Sequence, residues 1–278
     1  EYNQNCTKVS RAGKDMYWRI VRINGDGSIR LVYAGDSTNI NTKINNHIGQ
    51  SSFNLKTDDN AYVGYMYGTP GSMTYEETHK NTNDSNVKSF IDAWYEQNLL
   101  NTESEKYIDI NAGFCGDRTM DGTPHIDSVV GNTNTILGYG ENRTYYGAYH
   151  RLYDTKNPSY KCPNIERDLY TISSSNTGNH ALKYPIALLT ADEAAYAGKS
   201  EYAWYPYRNM ETYLPASFTM SPMYYEKYSS TGAHLLGYSV RLHAGFASDT
   251  YKINPVINLK ADTQFTGTGT SIDPYVVK

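Results

Sequence analysis

MYWRIVRINGDGSIRLVY, residues 16–33, is the stretch that decides how the fold begins. Its two ends are rich in β-branched and aromatic residues, which favour extended strands. Between them lies Asn24–Gly27, where Asn, Asp and Gly tolerate the positive φ angles of a tight turn. The pattern therefore predicts a β-hairpin over residues 15–35.

Two helices are predicted farther along the chain. Residues 85–98 carry apolar side chains at helical spacing, and Ser85 is suited to cap the first turn. Residues 190–197 begin with Thr190 and Glu193, the spacing of a capping box. We interpret the aromatic residues of the first helix as an ordinary stripe that packs on the core.

The other strand signals are short and separated by Gly, Asn and Pro. The predicted strands are 61–67, 186–189, 239–242 and 255–259, with closing strands over 253–278. Residues 101–175 lack strong periodicity and are expected to be mostly loops. With no internal repeat and no linker, the sequence predicts one α+β domain over 1–278: a small twisted antiparallel sheet, two main helices and long irregular loops.

Composition and charge restrict the possible partners. The net charge is −4 and no run of Lys or Arg is present, which argues against nucleic acid as a partner. No apolar stretch approaches the roughly 20 residues of a membrane span, so we do not expect a membrane-embedded protein. The chain begins at Glu1 rather than Met, and we expect export and anchoring signals to lie outside this sequence.

Tyrosine is the most distinctive residue type, with 28 Tyr against 6 Phe. A tyrosine ring offers a large apolar face and a polar tip at low entropic cost, and these properties suit binding surfaces. We expect many of these rings near the surface and assign a ligand site to the densest cluster. The predicted ligand-binding residues are Trp204, Tyr205, Tyr207, Arg208, Tyr213, Tyr224, Tyr225 and Tyr228. The expected ligand is a glycan or a host or partner protein.

Three cysteines are present, at Cys6, Cys115 and Cys162. If the protein is secreted, this number suggests one disulfide and one odd thiol. Cys115 and Cys162 are the better pair, because each lies in a polar, loop-like stretch. Cys6 lies near the start of the sequence, and its partner is expected elsewhere. Since no CxxC spacing occurs, the sequence does not predict a structural zinc site.

Six segments spread over nearly the whole chain carry a resemblance to a known group of proteins. They are Trp18–Arg30, Tyr62–Gly68, Ile91–Tyr95, Ala112–Cys115, Tyr184–Glu193 and Asn254–Lys260. In this order they resemble secreted surface proteins of Gram-positive bacteria, of the Firmicutes type that live in the gut, whose function is largely unassigned. The resemblance implies an extracellular protein on the bacterial cell surface.

The later part of the chain also resembles a broader domain with a C-type-lectin-like fold, akin to formylglycine-generating enzymes. The corresponding segments are Phe218–Pro222 and Ile253–Val256, where Thr219 and Asn254 depart from the Leu-Arg and Arg positions of that pattern. Those enzymes need a reactive cysteine pair near the C-terminus, and no cysteine follows Cys162. The resemblance therefore implies the scaffold and not its chemistry.

No enzyme motif is evident in the sequence. None of the seven histidines lies in an HxH, HExxH or HxxE pattern, and neither a GxSxG elbow nor a P-loop occurs. His125 with Asp127 is the nearest pair, and we interpret it as a loop histidine with a hydrogen-bond partner. We therefore predict a non-catalytic binding or adhesion domain. A hydrolase acting on surface polysaccharide and a structural spacer of a larger surface protein are the alternatives.

No cofactor or metal ligand is assigned from the sequence, but calcium stays open as an alternative. Oxygen-rich loops occur at Asp58–Asn60, at Asn83–Asp84, and at Asp117 with Asp121. Such residues ligate calcium in many loops, and they also favour turns on their own.

Overall fold

A computed structural model of the chain shows a mixed α+β architecture. It describes residues 15–36, 46–122, 137–172, 177–197, 217–227, 232–238 and 242–278. The strands are β1 Tyr17–Ile23, β2 Ile29–Gly35, β3 Gln50–Ser51, β4 Met66–Tyr67, β5 Asn83–Asp84, β6 Phe114–Cys115, β7 Thr144–Tyr145, β8 Leu169–Tyr170, β9 Ser217–Glu226, β10 Gly232–Tyr238, β11 Leu242–Phe246, β12 Tyr251–Lys252, β13 Val256–Leu259, β14 Phe265–Thr266 and β15 Val276–Val277. The α-helices are α1 Tyr75–Thr78, α2 Asn86–Asn98, α3 Gly147–Tyr149, α4 Ile165–Asp168 and α5 Ala191–Tyr196.

The predicted N-terminal hairpin is confirmed. β1 and β2 pair antiparallel, with Trp18 opposite Tyr33. The turn closes where the Asn24 amide donates to the Ser28 carbonyl at 2.8 Å, and Gly27 takes the positive φ of 86° that the turn requires. The closing strand β13 adds to the other side of β2, so residues far apart in sequence complete a three-stranded sheet.

A larger sheet is organised around β9. Its strands follow the order β11-β10-β9-β12-β3, and β7 pairs with the far end of β9. The β12–β9 pair is parallel, and the other pairs in this sheet are antiparallel. Nearly every residue of β9 is buried, as expected for a central strand. The expectation of one small sheet is therefore corrected, because the described residues form several mainly antiparallel sheets of two to six strands.

Both predicted helices are present. In α2 the Ser85 side chain accepts from the Lys88 amide, and the capping box of α5 joins Thr190 and Glu193 reciprocally. Val87, Ile91 and Tyr95 of α2 are fully buried. α2 forms where the sequence supplies both a cap and an apolar stripe, and α5 forms where it supplies a capping box.

Two strand predictions are corrected. Residues 61–67 form a 3-10 turn, Asn60–Val63, followed only by the short β4, because the Asp59 side chain accepts from the Ala61 amide and starts a turn. The 186–189 segment is buried as expected, but it joins a sheet through a single bridge between Ala187 and Val256. Of the predicted strand 239–242, only Leu242 lies within the described residues, at the start of β11.

The hydrophobic core contains more tyrosine than the sequence led us to expect. Among the residues that the structure describes, five rings are completely buried: Tyr65, Tyr95, Tyr146, Tyr170 and Tyr225. The Tyr146 hydroxyl donates to the Asn60 side chain at 2.8 Å, whereas the Tyr65 and Tyr225 hydroxyls have no hydrogen-bond partner among the described residues. Part of the tyrosine excess therefore serves packing.

Candidate functional site

The structure describes only two of the eight predicted ligand-binding residues. Trp204, Tyr205, Tyr207, Arg208, Tyr213 and Tyr228 lie outside the described residues. Tyr224 and Tyr225 are neighbours on β9, so their side chains point to opposite faces of the sheet. Tyr225 is 0% exposed and belongs to the core, whereas Tyr224 is half-buried on the outer face. Of these two, Tyr224 alone is placed to touch a ligand.

Tyr224 is one end of a row of four tyrosines. We call Tyr224, Tyr145, Tyr149 and Tyr153 the tyrosine strip, and all four side chains are half-buried. Ring centroids are 5.6 Å apart for Tyr224–Tyr145, 4.9 Å for Tyr145–Tyr149 and 5.2 Å for Tyr149–Tyr153. The last two rings are stacked, with 11° between their planes. The result is a continuous aromatic surface.

Two local features align these rings. In the β7–β9 pair Tyr145 lies opposite Tyr224, which brings their side chains to the same face. After β7 the chain enters α3 and then a single π-helical turn, His150–Asp154. Tyr149 and Tyr153 are four residues apart and share one face there, while Ala148 and Leu152 are buried on the other.

Polar groups surround the base of the strip. An Arg143 Nη donates to the Tyr145 hydroxyl at 2.9 Å, and its guanidinium lies 5.4 Å from the centre of that ring. Burial, and then the nearby Glu226 carboxylate, raise the pKa of Tyr224 to about 12. That phenol therefore stays neutral at physiological pH and can donate a hydrogen bond.

Beside the strip, three potential metal ligands converge. Asp121, His150 and Asp154 each offer an atom within 4.8 Å of the other two. His150 Nδ1 lies 3.1 Å from an Asp154 oxygen and 3.8 Å from an Asp121 oxygen. From the sequence, Asp121 was expected only as an alternative calcium ligand, and His150 and Asp154 were not predicted to be ligands.

The other oxygen-rich loops are occupied by structural hydrogen bonds. Asp59 accepts from the Ala61 and Gly71 amides, and Asn83 donates to the Gly68 carbonyl. Asp84 pairs with the buried Lys88 at 3.1 Å. These contacts support the turn and capping interpretation of both loops.

A second polar cluster lies under the hairpin. Arg22 and Arg30 reach the same oxygen of Glu193, at 3.1 and 2.7 Å. Next to them, Arg151 bridges Asp117 and Asp192. Burial is the main cause that raises the pKa of Asp117. The neighbouring Arg151 lowers this pKa and Asp192 raises it, so the net shift is upward. The charges connect the hairpin, α5 and the π-helical turn.

The cavity among these charges has a volume of about 50 Å³. Binding sites for small molecules typically measure roughly 300–1,000 Å³. A cavity this small accommodates water-sized groups and not a sugar ring. We therefore regard the cluster as support for the fold rather than as a ligand site.

The predicted disulfide is confirmed. Cys115 and Cys162 are bonded, with Cα atoms 5.5 Å apart and a separation of 47 positions in sequence. Tyr145, Tyr149 and Tyr153 all lie within the loop that this bond closes. Cys6 and the pair His125 and Asp127 lie outside the described residues.

The comparisons with known proteins give no relative. No family model, curated protein or solved structure matches the chain. None of the helices in the described part of the chain has the length and apolar content of a membrane span. The resemblance to Gram-positive surface proteins stays a prediction.

Proposed function

We propose that the protein is a non-catalytic binding domain that recognises a glycan through the tyrosine strip. The observation that carries this proposal is the unbroken row of four half-buried rings from Tyr224 to Tyr153. Packing explains the buried tyrosines, whereas this row places four partly exposed rings next to one another. Such a row is suited to successive sugar rings of a chain.

The chemistry of the strip fits a sugar better than an apolar ligand. Tyrosine presents a flat apolar face to the C–H side of a sugar and a hydroxyl to its oxygens. Each ring orders only two side-chain torsions on binding, so the entropic cost is low. Arg143, itself buried, donates to the Tyr145 hydroxyl and so helps to fix its position.

The setting of the site supports an exported protein. Disulfides persist in oxidising compartments, and the Cys115–Cys162 bond fits such a location. We further propose that the protein acts outside the cell, on a bacterial surface, and that its α+β architecture is a variant of the C-type-lectin-like fold. These two proposals rest on the sequence resemblance together with the disulfide.

A glycan array, including bacterial surface polysaccharides and mucin glycans, tests the proposal with the whole chain. The wild type should bind a defined glycan set. Tyr149→Ala and Tyr153→Ala should each weaken binding by about tenfold, the equivalent of about 1.4 kcal/mol for a lost ring contact. Tyr149→Phe keeps the ring and should retain most of the affinity.

Tyr107→Ala is the matched control, because Tyr107 is also half-buried but does not belong to the strip. It should leave binding unchanged. An array without any binding overturns the proposal, as does equal loss in Tyr107→Ala and Tyr149→Ala. Binding that survives complete deglycosylation of a mucin would identify a protein partner instead. Turnover of a labelled polysaccharide would favour the hydrolase alternative.

A further inference from the structure

We propose that Asp121, His150 and Asp154 form a binding site for a divalent transition-metal cation of the zinc class. The site is independent of glycan binding and rests on the position, spacing and chemistry of three side chains. None of the sequence patterns for zinc sites covers them, because they come from two separate segments.

The backbone holds the three residues in place. The Asp121 amide donates to the Tyr145 carbonyl at 2.8 Å, and Met120 just before it pairs with Tyr146 in an isolated bridge. His150 and Asp154 stand at the two ends of the π-helical turn, four residues apart. The loop and the turn thus bring their side chains to one point.

The spacing between ligand atoms suits a small cation. Zinc binds nitrogen and oxygen at about 2.0–2.2 Å, and tetrahedral angles then separate ligand atoms by roughly 3.4 Å. The distances from His150 Nδ1 to the carboxylate oxygens are 3.1 Å for Asp154 and 3.8 Å for Asp121. The Asp121 and Asp154 oxygens lie within 4.8 Å of each other, so side-chain movements on the order of an ångström would bring all three atoms within bonding distance of one ion.

The identity of the donors selects the class of cation. Calcium and magnesium prefer oxygen ligands alone, whereas an imidazole with carboxylates suits zinc and similar transition metals. The side chain of Asp121 is 4% exposed, while those of His150 and Asp154 are 36% and 37% exposed. The cation is therefore reached from solvent, and solvent can supply a fourth ligand.

Calorimetric titration of the tag-free full chain with zinc chloride tests the site. We expect one zinc ion per chain, with calcium and magnesium chloride binding much more weakly. His150→Gln and Asp154→Asn should each reduce zinc affinity by on the order of 100-fold, since each removes one of three ligands. Asp154 is exposed, so its substitution tests the site without disturbing the core. His180→Gln, at an exposed histidine elsewhere, is the matched control and should not change the affinity.

Cobalt(II) gives a second readout that does not depend on function. Tetrahedral cobalt in the site should show intense visible absorption, which His150→Gln should abolish. No heat of zinc binding, or affinity unchanged in both His150→Gln and Asp154→Asn, overturns the proposal and leaves His150 as an ion-pairing residue. Because the probe is the metal alone, failure to bind glycans would not affect this result.

Discussion

His79 makes the folded protein sensitive to mild acid. Its ring is completely buried at the end of α1, 4.5 Å from the Tyr75 ring, and its Nε2 lies 2.8 Å from the Gly138 carbonyl. A carbonyl only accepts hydrogen bonds, so Nε2 carries the proton of the neutral ring. Burial, and then the nearby Arg118 guanidinium, lower the pKa of His79 to about 3.

The direction of the pH effect follows from this shift. In the unfolded chain an ordinary histidine titrates near 6.5, so between about pH 3 and 6.5 the unfolded state holds a proton that the folded His79 lacks. Stability therefore rises with pH in this window, by about 1.4 kcal/mol per pH unit. The contribution is fully present above pH 6.5 and is lost as the pH falls towards 3. Between pH 7 and pH 5 the expected loss is about 2 kcal/mol.

Urea denaturation at pH 7 and pH 5 measures this effect. His79→Gln retains an amide donor for the Gly138 carbonyl and does not titrate, so the variant should lose about 2 kcal/mol less than the wild type over the same interval. His180→Gln removes an exposed histidine and should behave like the wild type. Equal pH dependence in the wild type and His79→Gln would refute the reasoning.

Two further perturbations address the covalent and ionic supports of the fold. The double variant Cys115→Ser, Cys162→Ser should lose about 4 kcal/mol of unfolding free energy, because the bond closes a loop spanning 47 residues. Urea denaturation measures this loss, and a value below about 1 kcal/mol would contradict the expectation. Asp168→Asn should lower the free energy of unfolding by about 3–5 kcal/mol. The substitution removes the carboxylate whose oxygen lies 2.8 Å from Nε of the fully buried Arg118. Thermal unfolding should show this loss for Asp168→Asn and not for Asp262→Asn at an exposed position, and similar melting temperatures would refute it.

The sequence predicted the elements whose signals are local. The hairpin at 15–35 needed only a turn tetrad between two strand-forming runs, and α5 needed a cap and a glutamate three residues later. The prediction of a strand at 61–67 was wrong because another local signal, the Asp59 cap, lies just before this segment. Its valine and tyrosines favour a strand, but the Asp59 side chain caps a 3-10 turn, and this local hydrogen bond outweighs the β-propensity of the residues after it.

The sheet arrangement and most of the site depended on distant contacts. Tyr145 meets Tyr224 only because β7 pairs with β9, and nothing near either residue specifies that register. The spacing of Tyr149 and Tyr153 was a usable signal, as was that of His150 and Asp154, since residues four apart share a helix face. This spacing did not lead to a predicted helix, because residues 101–175 lack the apolar periodicity that marks longer helices.

The interior face of the π-helical turn explains why the tyrosine strip can be a rigid surface. Arg151 lies between the strip residues Tyr149 and Tyr153 in sequence, and its guanidinium pairs with Asp117 and with Asp192 of α5. Asp117 in turn lies two residues after the disulfide-bonded Cys115. The segment that presents the rings is thus anchored by ion pairs below it and by a covalent bond that closes its loop. A surface that is already ordered in the folded protein loses little conformational entropy on binding. More of the free energy of each ring contact then contributes to the binding affinity.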